Sequence, residues 1–412
     1  MSASRFRART AGILSAVLLG ATGLAAANVL QPPRIIAVES RPAALAETDG
    51  ANITIRLSQP IAAVAPADIR TEPEVPLTVS TAGAAVTLRL GTRLDYASTL
   101  QLTLRVTGTA TGVRGELVTS LAAPDTRVTT LVRGGPGQDR FVSDDLVRGG
   151  RPTDFLPGVG VREYAMLPDR VVVLHDAGTP DSAQQALGTY AIADGTSQPV
   201  IRDTDGDLSA LRADPAALSF GVVATGLVVD GQLLERALLV FDGRSATGAP
   251  AVVRDEAGAA ISVADWRFVP GDGELVIRDA AGQSWRAHPL LGEPATRIPP
   301  DDPRALLLPA PDGAVTVSDG AEMLPSADRR HVIRRTADGA REWFTPPGSG
   351  SRVGAICAAP GGRIVAVEIT SAEGQPDGRP GRPGLTHTVT QFRDARSGVL
   401  LRSLIGFAPH WC

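Results

Sequence analysis

Lysine is absent from this sequence of 412 residues, and asparagine occurs only at positions 28 and 52. Arginine therefore supplies the basic side chains apart from five histidines, a bias that we interpret as the mark of a GC-rich bacterial genome. Aromatic residues make up only 4% of the chain. This scarcity argues against an aromatic-lined sugar-binding cleft, because such rings supply much of the contact area in those sites.

The sequence also lacks a strong excess of charge of one sign. Its formal net charge is -4 at neutral pH. A chain of this charge has no long-range attraction to nucleic acid or to an anionic membrane. We therefore expect no nucleic-acid partner.

Long apolar runs are missing except for one, at residues 11–27. Three arginines precede this run, and small residues near its end suit cleavage after Ala27. This order is typical of a secretory signal peptide, so we expect residues 1–27 to direct the protein out of the cytoplasm, to the cell envelope or beyond. An uncleaved membrane anchor is the alternative, because the run is nearly long enough to span a bilayer. We expect no transmembrane segment in the mature chain.

Cysteine occurs only twice, as Cys357 and Cys412. In an exported protein an even pair favours a disulfide. Closing the loop between them would stabilise the fold by about 4 kcal/mol on chain-entropy grounds. Two free thiols or an intermolecular bond are the alternatives. A metal site is less favoured, since no Cys-x-x-Cys motif or nearby histidine completes a ligand set.

Residues 34–124 alternate between apolar and polar positions. The alternation is clearest at residues 53–57, 86–90 and 100–106, and a period of two predicts half-buried strands. Their number and spacing favour a small β-sandwich. The stretch from Ser40 to Ile61, with Asp49-Gly50 at its turn, resembles the opening of bacterial Ig-like domains of surface-layer and other exported proteins. The resemblance implies a spacer or adhesion module.

A recurring sequence motif marks the rest of the chain. An apolar stretch, a proline with a small or acidic neighbour and a second apolar stretch recur every 41 to 55 residues, with markers at Pro168, Pro215, Pro270, Pro311, Pro360 and Pro409. Units of this length made of short strands are typical of β-propeller blades. These segments resemble the blades of WD40-like and TolB-like propellers of bacterial exported proteins, although the copy at Pro215 matches poorly.

The final copy of the motif, residues 404–412, supplies one strand only. Near the start of the repeats, residues 129–133 and 140–146 form strands that lack an innermost partner. We therefore predict a composite blade that joins the two chain regions and removes free sheet edges. The predicted fold is all-β: an Ig-like sandwich at 34–124, then a propeller of about six blades at 127–412. Seven blades are the alternative.

No catalytic motif stands out. A Gly-x-Ser-x-Gly elbow is absent, and the five histidines are dispersed. His175, beside Asp176 after an apolar run that we assign to an innermost strand, is a candidate for a site at the channel mouth. We therefore favour a non-catalytic exported binding or scaffold protein, whose partner is an unidentified protein or a cell-wall ligand. The alternatives are a propeller-type hydrolase or lyase with its site at the channel mouth, and a purely structural envelope component.

One acidic segment has the spacing of a calcium-binding loop. Oxygen-bearing residues occupy positions 1, 3, 5, 7 and 12 of that loop, namely Asp203, Asp205, Asp207, Ser209 and Asp214. The segment departs from the pattern at two positions: leucine replaces glycine at position 6, and aspartate replaces glutamate at position 12. A solvated loop between blades is the favoured interpretation, and no other cofactor is expected.

Residues 371–386 are rich in proline and glycine. This composition predicts a mobile surface loop that interrupts the last full blade. We interpret it as a tolerated insertion, and a loop that contacts a partner is the alternative.

Overall fold

The computed structural model describes residues 31–48, 50–135, 138–177, 184–245, 248–269, 273–299, 302, 308, 314–359, 361–379 and 383–410. The predicted signal peptide, residues 1–27, lies outside the described residues. The chain divides into two compact units, the second of which begins at Arg127. Within the described ranges strands are the main regular element, with one short α-helix, α1 (Pro42–Glu47), and two single-turn 3₁₀ helices, Pro66–Asp68 and Pro289–Leu291. No helix in these ranges is long and apolar enough to cross a membrane.

The first unit contains two antiparallel sheets. The strands of the larger sheet, in pairing order, are β1 (Ile35–Ser40), β2 (Asn52–Leu57), β5 (Ala85–Leu90) and β4 (Leu77–Ala82). Those of the smaller sheet are β3 (Ile69–Glu72), β6 (Thr99–Thr107) and β7 (Arg114–Ala122).

The alternation of apolar and polar residues explains which side chains of these strands are buried. In β6, Leu100, Leu102, Leu104 and Val106 are buried, while the four residues that follow them are all exposed or half-buried polar side chains. Strands β2 and β5 show the same period, because successive side chains of a strand point to opposite faces of its sheet. The predicted half-buried strands are confirmed.

The described part of the second unit contains seven antiparallel sheets, and we number the six that have three or four strands 1 to 6 in chain order. Sheet 1 consists of β8 (Arg127–Val132), β9 (Arg140–Asp145) and β10 (Thr153–Phe155). Sheet 2 consists of β11 (Val161–Met166), β12 (Arg170–Asp176), β13 (Gln185–Ala191) and β14 (Ser197–Thr204). Sheet 3 consists of β15 (Asp207–Asp214), β16 (Ser219–Thr225), β19 (Ala237–Asp242) and β20 (Ala251–Val252). A small hairpin, β17 (Val228–Val229) and β18 (Gln232–Leu233), lies between β16 and β19.

The remaining three sheets have four strands each, paired in chain order. Sheet 4 consists of β21 (Val263–Phe268), β22 (Leu275–Asp279), β23 (Ser284–Ala287) and β24 (Thr296–Arg297). Sheet 5 consists of β25 (Val315–Thr316), β26 (Glu322–Pro325), β27 (Val332–Thr336) and β28 (Gly339–Phe344). Sheet 6 consists of β29 (Arg352–Ala358), β30 (Ile364–Thr370), β31 (Thr388–Asp394) and β32 (Leu400–Ile405).

Continuous apolar runs let these sheets pack on both faces. In β12, Val172 and Leu174 contribute to a core shared with sheet 3, whereas Val171 and Val173 contribute to a core shared with sheet 1. Similar cores lie between sheets 3 and 4 and between sheets 5 and 6. The first strands of consecutive sheets adjoin at three junctions: β11 contacts β15, β15 contacts β21, and β25 contacts β29.

The C-terminal segment pairs with the free edge of sheet 1. The backbone nitrogen of Leu131 donates to the oxygen of Phe407 at 2.8 Å, and the nitrogen of Phe407 donates back at 3.0 Å. Three residues later, the nitrogen of His410 donates to the oxygen of Thr129 at 3.1 Å. The predicted pairing of the tail with the strand near Leu131 is thus confirmed at these residues. Trp411 and Cys412 lie outside the described residues.

Candidate functional site

The two residues singled out as a channel-mouth candidate lie at the end of β12. His175 pairs with Val161 of β11 and with Ala186 of β13, so it lies on the second strand of sheet 2. The expectation that it follows the innermost strand is therefore wrong, because the apolar run Val171–Leu174 that precedes it belongs to the second strand, which is buried on both faces.

His175 and Asp176 do not form a catalytic pair. The imidazole Nδ1 of His175 lies 3.1 Å from the backbone oxygen of Asp176, not from its carboxylate. That carboxylate instead lies 3.4 Å from Nε of Arg162, which is mostly buried. A general base needs a group that orients it and raises its basicity, and Asp176 does not serve His175 in this way.

A shallow cavity of about 200 Å³ adjoins His175 on the face of β13 and β14. Its polar lining includes Tyr190, Gln198 and Arg202, and the ring of Tyr190 stands edge-on to that of His175 at 6.4 Å between centroids. Burial raises the pKa of the Tyr190 phenol, so the hydroxyl stays protonated at neutral pH. The cavity therefore offers a hydroxyl, an amide, an imidazole and a guanidinium to a small polar group.

A buried ion network lies at the same end of sheets 1 and 2. Asp139, whose side chain is fully buried, accepts from Arg133 Nη1 at 3.0 Å and from Arg379 Nη1 at 2.7 Å. Arg133 Nε donates to Asp377 at 3.1 Å. Two arginines and two aspartates thus neutralise one another, which is the condition for holding charges away from water.

Backbone groups complete the bonding of Asp139. Its two carboxylate oxygens also accept from the nitrogen of Gly134 at 3.0 Å and from the nitrogen of Val161 at 2.9 Å. Arg133 donates in turn to the oxygen of Val161. The network therefore ties the turn between β8 and β9 to the start of β11.

The segment at 371–386 carries the other half of this network, and many of its described residues are exposed, as expected of a surface loop. Asp377 is almost fully buried and accepts from the nitrogen of Gly384 at 2.9 Å. Arg379 also donates to the oxygen of Gly134 at 3.0 Å. Ion pairs and hydrogen bonds join the described part of this segment to sheet 1, and its mobility stays a prediction.

The five residues of the calcium pattern do not form one loop. Asp203 belongs to β14, whereas Asp207, Ser209 and Asp214 belong to the next strand, β15. Eight residues of extended strand span roughly 25 Å, so the first and last residues of β15 cannot share an ion.

Three carboxylates of this segment, those of Asp205, Asp207 and Asp214, have protein partners. Gln184 and Gln185 donate to Asp205 and Asp207, and Asp214 accepts from the nitrogen of Ala216 at 3.0 Å. Across the described ranges, no group of three or more His, Cys, Asp or Glu side chains could hold a metal ion.

Cys357 lies buried on β29. Its expected partner, Cys412, lies outside the described residues, so the disulfide stays a prediction.

Sequence reasoning missed the ion network entirely. Arg133 and Asp377 are far apart in the chain, and no spacing rule connects them. The only available signal was that charged residues flank two glycine-rich segments, at 133–139 and 377–384.

No protein-family model matches the sequence, and no curated protein matches it. Solved structures with some likeness include a nidogen–laminin complex, at a TM-score of 0.37 and 13% identity over 68% of this chain and 93% of that chain. Others are an auxiliary nutrient binding protein from Bacteroides thetaiotaomicron (TM-score 0.28, 11% identity, 91% and 84% covered) and a DUF4784 family protein from Bacteroides caccae (0.32, 9%, 91% and 97%). Because each TM-score is below 0.5, none of them assigns a fold or a function to this chain.

Proposed function

We propose that this chain is an exported, non-catalytic binding protein of the bacterial envelope. In this proposal an Ig-like sandwich at 34–124 carries a six-bladed β-propeller at 127–412, and one end of the propeller binds a small polar ligand such as a cell-wall fragment. The signal-peptide pattern of residues 1–27 supports export.

Three features support the propeller. The described part of the second unit has six sheets of three or four strands, first strands of consecutive sheets adjoin at three junctions, and residues 407–410 hydrogen-bond to the free edge of sheet 1. A ring closed in this way has no free inner edge where the two ends of the repeat region meet. The ion network then braces the closing sheet, because it joins the turn after β8 to β11 and to the segment after β30.

The observation that carries the binding role is the arrangement around His175. This residue borders a cavity of mixed lining that includes Tyr190, Gln198 and Arg202, whereas the neighbouring carboxylate of Asp176 pairs with Arg162. Such a site can hold a ligand through hydrogen bonds from several side chains, whereas acid–base catalysis would need a carboxylate that Asp176 does not supply to His175.

A defined probe can test this proposal. The mature protein is titrated calorimetrically with the soluble disaccharide peptides released from peptidoglycan by a muramidase, and the mixture is then separated by chromatography to detect any turnover. We expect binding that weakens at least tenfold in His175→Ala and in Arg202→Ala, with the peptides recovered unchanged.

Arg244→Ala is the matched control, because Arg244 is an exposed arginine that follows β19 at the opposite end of sheet 3. Its binding should equal that of the wild type. Cleaved peptides would replace the proposal with the hydrolase or lyase alternative. No heat in the wild type would remove cell-wall fragments as the ligand.

A further inference from the structure

A second cluster of charged side chains lies on the first strands of sheets 3 and 4, away from the cavity beside His175. Arg212 comes from β15, and Asp265 and Arg267 come from β21. Arg212 Nη1 lies 2.9 Å from Asp265 Oδ1, an ion pair whose angle does not make a hydrogen bond. The two side chains are 24% and 25% exposed, so solvent reaches the cluster.

The charge of Asp265, which pairs with Arg212, also acts on Arg267, but among the described residues Arg267 has no ion-pair partner of its own. Its Nε is enclosed and has no hydrogen bond, and among the described residues no carboxylate forms an ion pair with its guanidinium. Burial and the nearby charge of Arg212, opposed in part by the charge of Asp265, lower the pKa of Arg267 to about 10. The side chain still carries its charge at neutral pH, and an unpaired charge removed from water is costly.

The neighbouring residues hold Arg212 in place. Its guanidinium carbon lies 5.6 Å from the ring centroid of Trp266, and Trp266 Nε1 donates to the oxygen of Ala210 at 3.1 Å. Both strands are also bulged near the cluster, between Ser209 and Arg212 and between Val263 and Asp265. Bulges redirect side chains and recur beside binding sites.

The charges of this cluster do not cancel. Two guanidinium groups face one carboxylate, which leaves one positive charge. Glu163 of sheet 2 accepts a hydrogen bond from the nitrogen of Leu211 at 2.7 Å, whereas Arg212 pairs with Asp265 of sheet 4. One added carboxylate would balance the cluster, and the planar fork of arginine matches a carboxylate in shape.

We propose that Arg212 and Arg267 form a binding site for a small monocarboxylate. A phosphate dianion would bring one charge too many, and chloride lacks the two oxygens that an arginine fork binds together. The site lies between sheets 3 and 4, and it does not depend on the ligand proposed for the cavity beside His175.

Acetate is the probe for the test. Thermal unfolding of the mature protein is measured in sodium acetate, sodium chloride and sodium phosphate at pH 7.5 and equal ionic strength, and acetate is titrated by calorimetry. We expect acetate to raise the Tm of the wild type more than chloride or phosphate does. Arg267→Met should weaken acetate binding at least tenfold and abolish the acetate-specific shift in Tm.

The sign of the stability change separates a binding site from a structural arginine. In chloride, Arg267→Met should have a Tm equal to or above that of the wild type, because methionine keeps the apolar stem and removes the unpaired charge. Arg286→Met is the control, since Arg286 is an exposed arginine on β23 that donates to Thr296, and it should keep the wild-type response to acetate.

Arg212→Gln serves as a second variant if Arg267→Met does not fold, and it should lose the response in the same way. Equal shifts of the wild type in acetate and chloride would overturn the proposal. So would an intact acetate response in both site variants, or a larger response to phosphate.

Discussion

Phe407 and Leu131 are joined by two backbone hydrogen bonds, with nitrogen–oxygen distances of 2.8 and 3.0 Å, although 276 positions separate them in the chain. These hydrogen bonds place residues 407–410 beside β8. Contacts between positions so distant in sequence close a long loop, and the entropy cost of that closure must be offset by the cores on either side.

Gly406 makes this pairing sterically sensitive. It has a φ of +105°, and a Cβ at this position would lie 2.5 Å from the oxygen of Leu131. We expect Gly406→Ala to destabilise the protein by about 3 kcal/mol, from backbone strain and from displacement of the paired strand. The measurement is chemical denaturation of the mature chain.

Gly398→Ala is the control for that substitution. Gly398 also has a positive φ, +74°, but the atom nearest to its added Cβ would be 3.7 Å away, at Trp343 Nε1. It should lose only about 1 kcal/mol, from backbone strain alone. Equal losses in the two variants would show that the contact with Leu131 is not responsible.

Asp139→Asn tests the ion network. The amide keeps the shape of the side chain but leaves Arg133 and Arg379 with one buried carboxylate between them, so we expect a loss of about 3–5 kcal/mol. Asp154→Asn, which breaks the exposed pair with Arg140, should cost less than about 1 kcal/mol. Urea denaturation of both variants gives the comparison, and a small loss in Asp139→Asn would contradict the bracing role.

His410 should make the stability depend on pH. Burial lowers the pKa of its imidazole from 6.5 to about 4, and Nδ1 accepts a hydrogen bond from the nitrogen of Thr129. Above pH 6.5 neither state binds the proton, so the full stability is present. As the pH falls from 6.5 towards 4 only the unfolded state gains the proton, and about 2 kcal/mol should be lost by pH 5.

His410→Asn provides the test, since asparagine keeps an acceptor for the nitrogen of Thr129 and does not titrate. Its loss of stability between pH 7.5 and pH 5, measured by denaturation at each pH, should be smaller than that of the wild type. His288→Asn, at a half-buried histidine after β23, should follow the wild type. Identical curves for wild type and His410→Asn would exclude His410 as the titrating group.

A disulfide between Cys357 and Cys412 can be detected directly by peptide mapping without reductant. If it forms, reduction should lower the free energy of unfolding by up to about 4 kcal/mol. Cys357→Ala should be destabilised by a similar amount and should then be insensitive to reductant. Two titratable thiols in the unfolded, unreduced protein would contradict the bond.

The sequence determined the local elements. Alternation at 53–57 and 100–106 sets which side chains of those strands are buried, and the apolar runs such as Val171–Leu174 produce strands that are covered on both faces. The recurring motif around the prolines marks the first hairpin of most sheets of the second unit. Its incomplete last copy predicts the segment that pairs with β8. These features follow from periods of two and from repeats, which one chain displays by itself.

The tertiary structure alone decided the charged sites. Asp139 meets Arg379 across 240 positions, and Asp265 meets Arg212 from another sheet, because packing brings distant strands and turns together and no local period encodes that proximity. For the same reason the spacing of acidic residues at 203–214 gave a wrong prediction. Five oxygen-bearing side chains at calcium-loop positions suggest a loop, but pairing with β16 makes most of that segment an extended strand. Whether a carboxylate binds an ion, an arginine or a backbone amide depends on which of these lies opposite it in the folded chain.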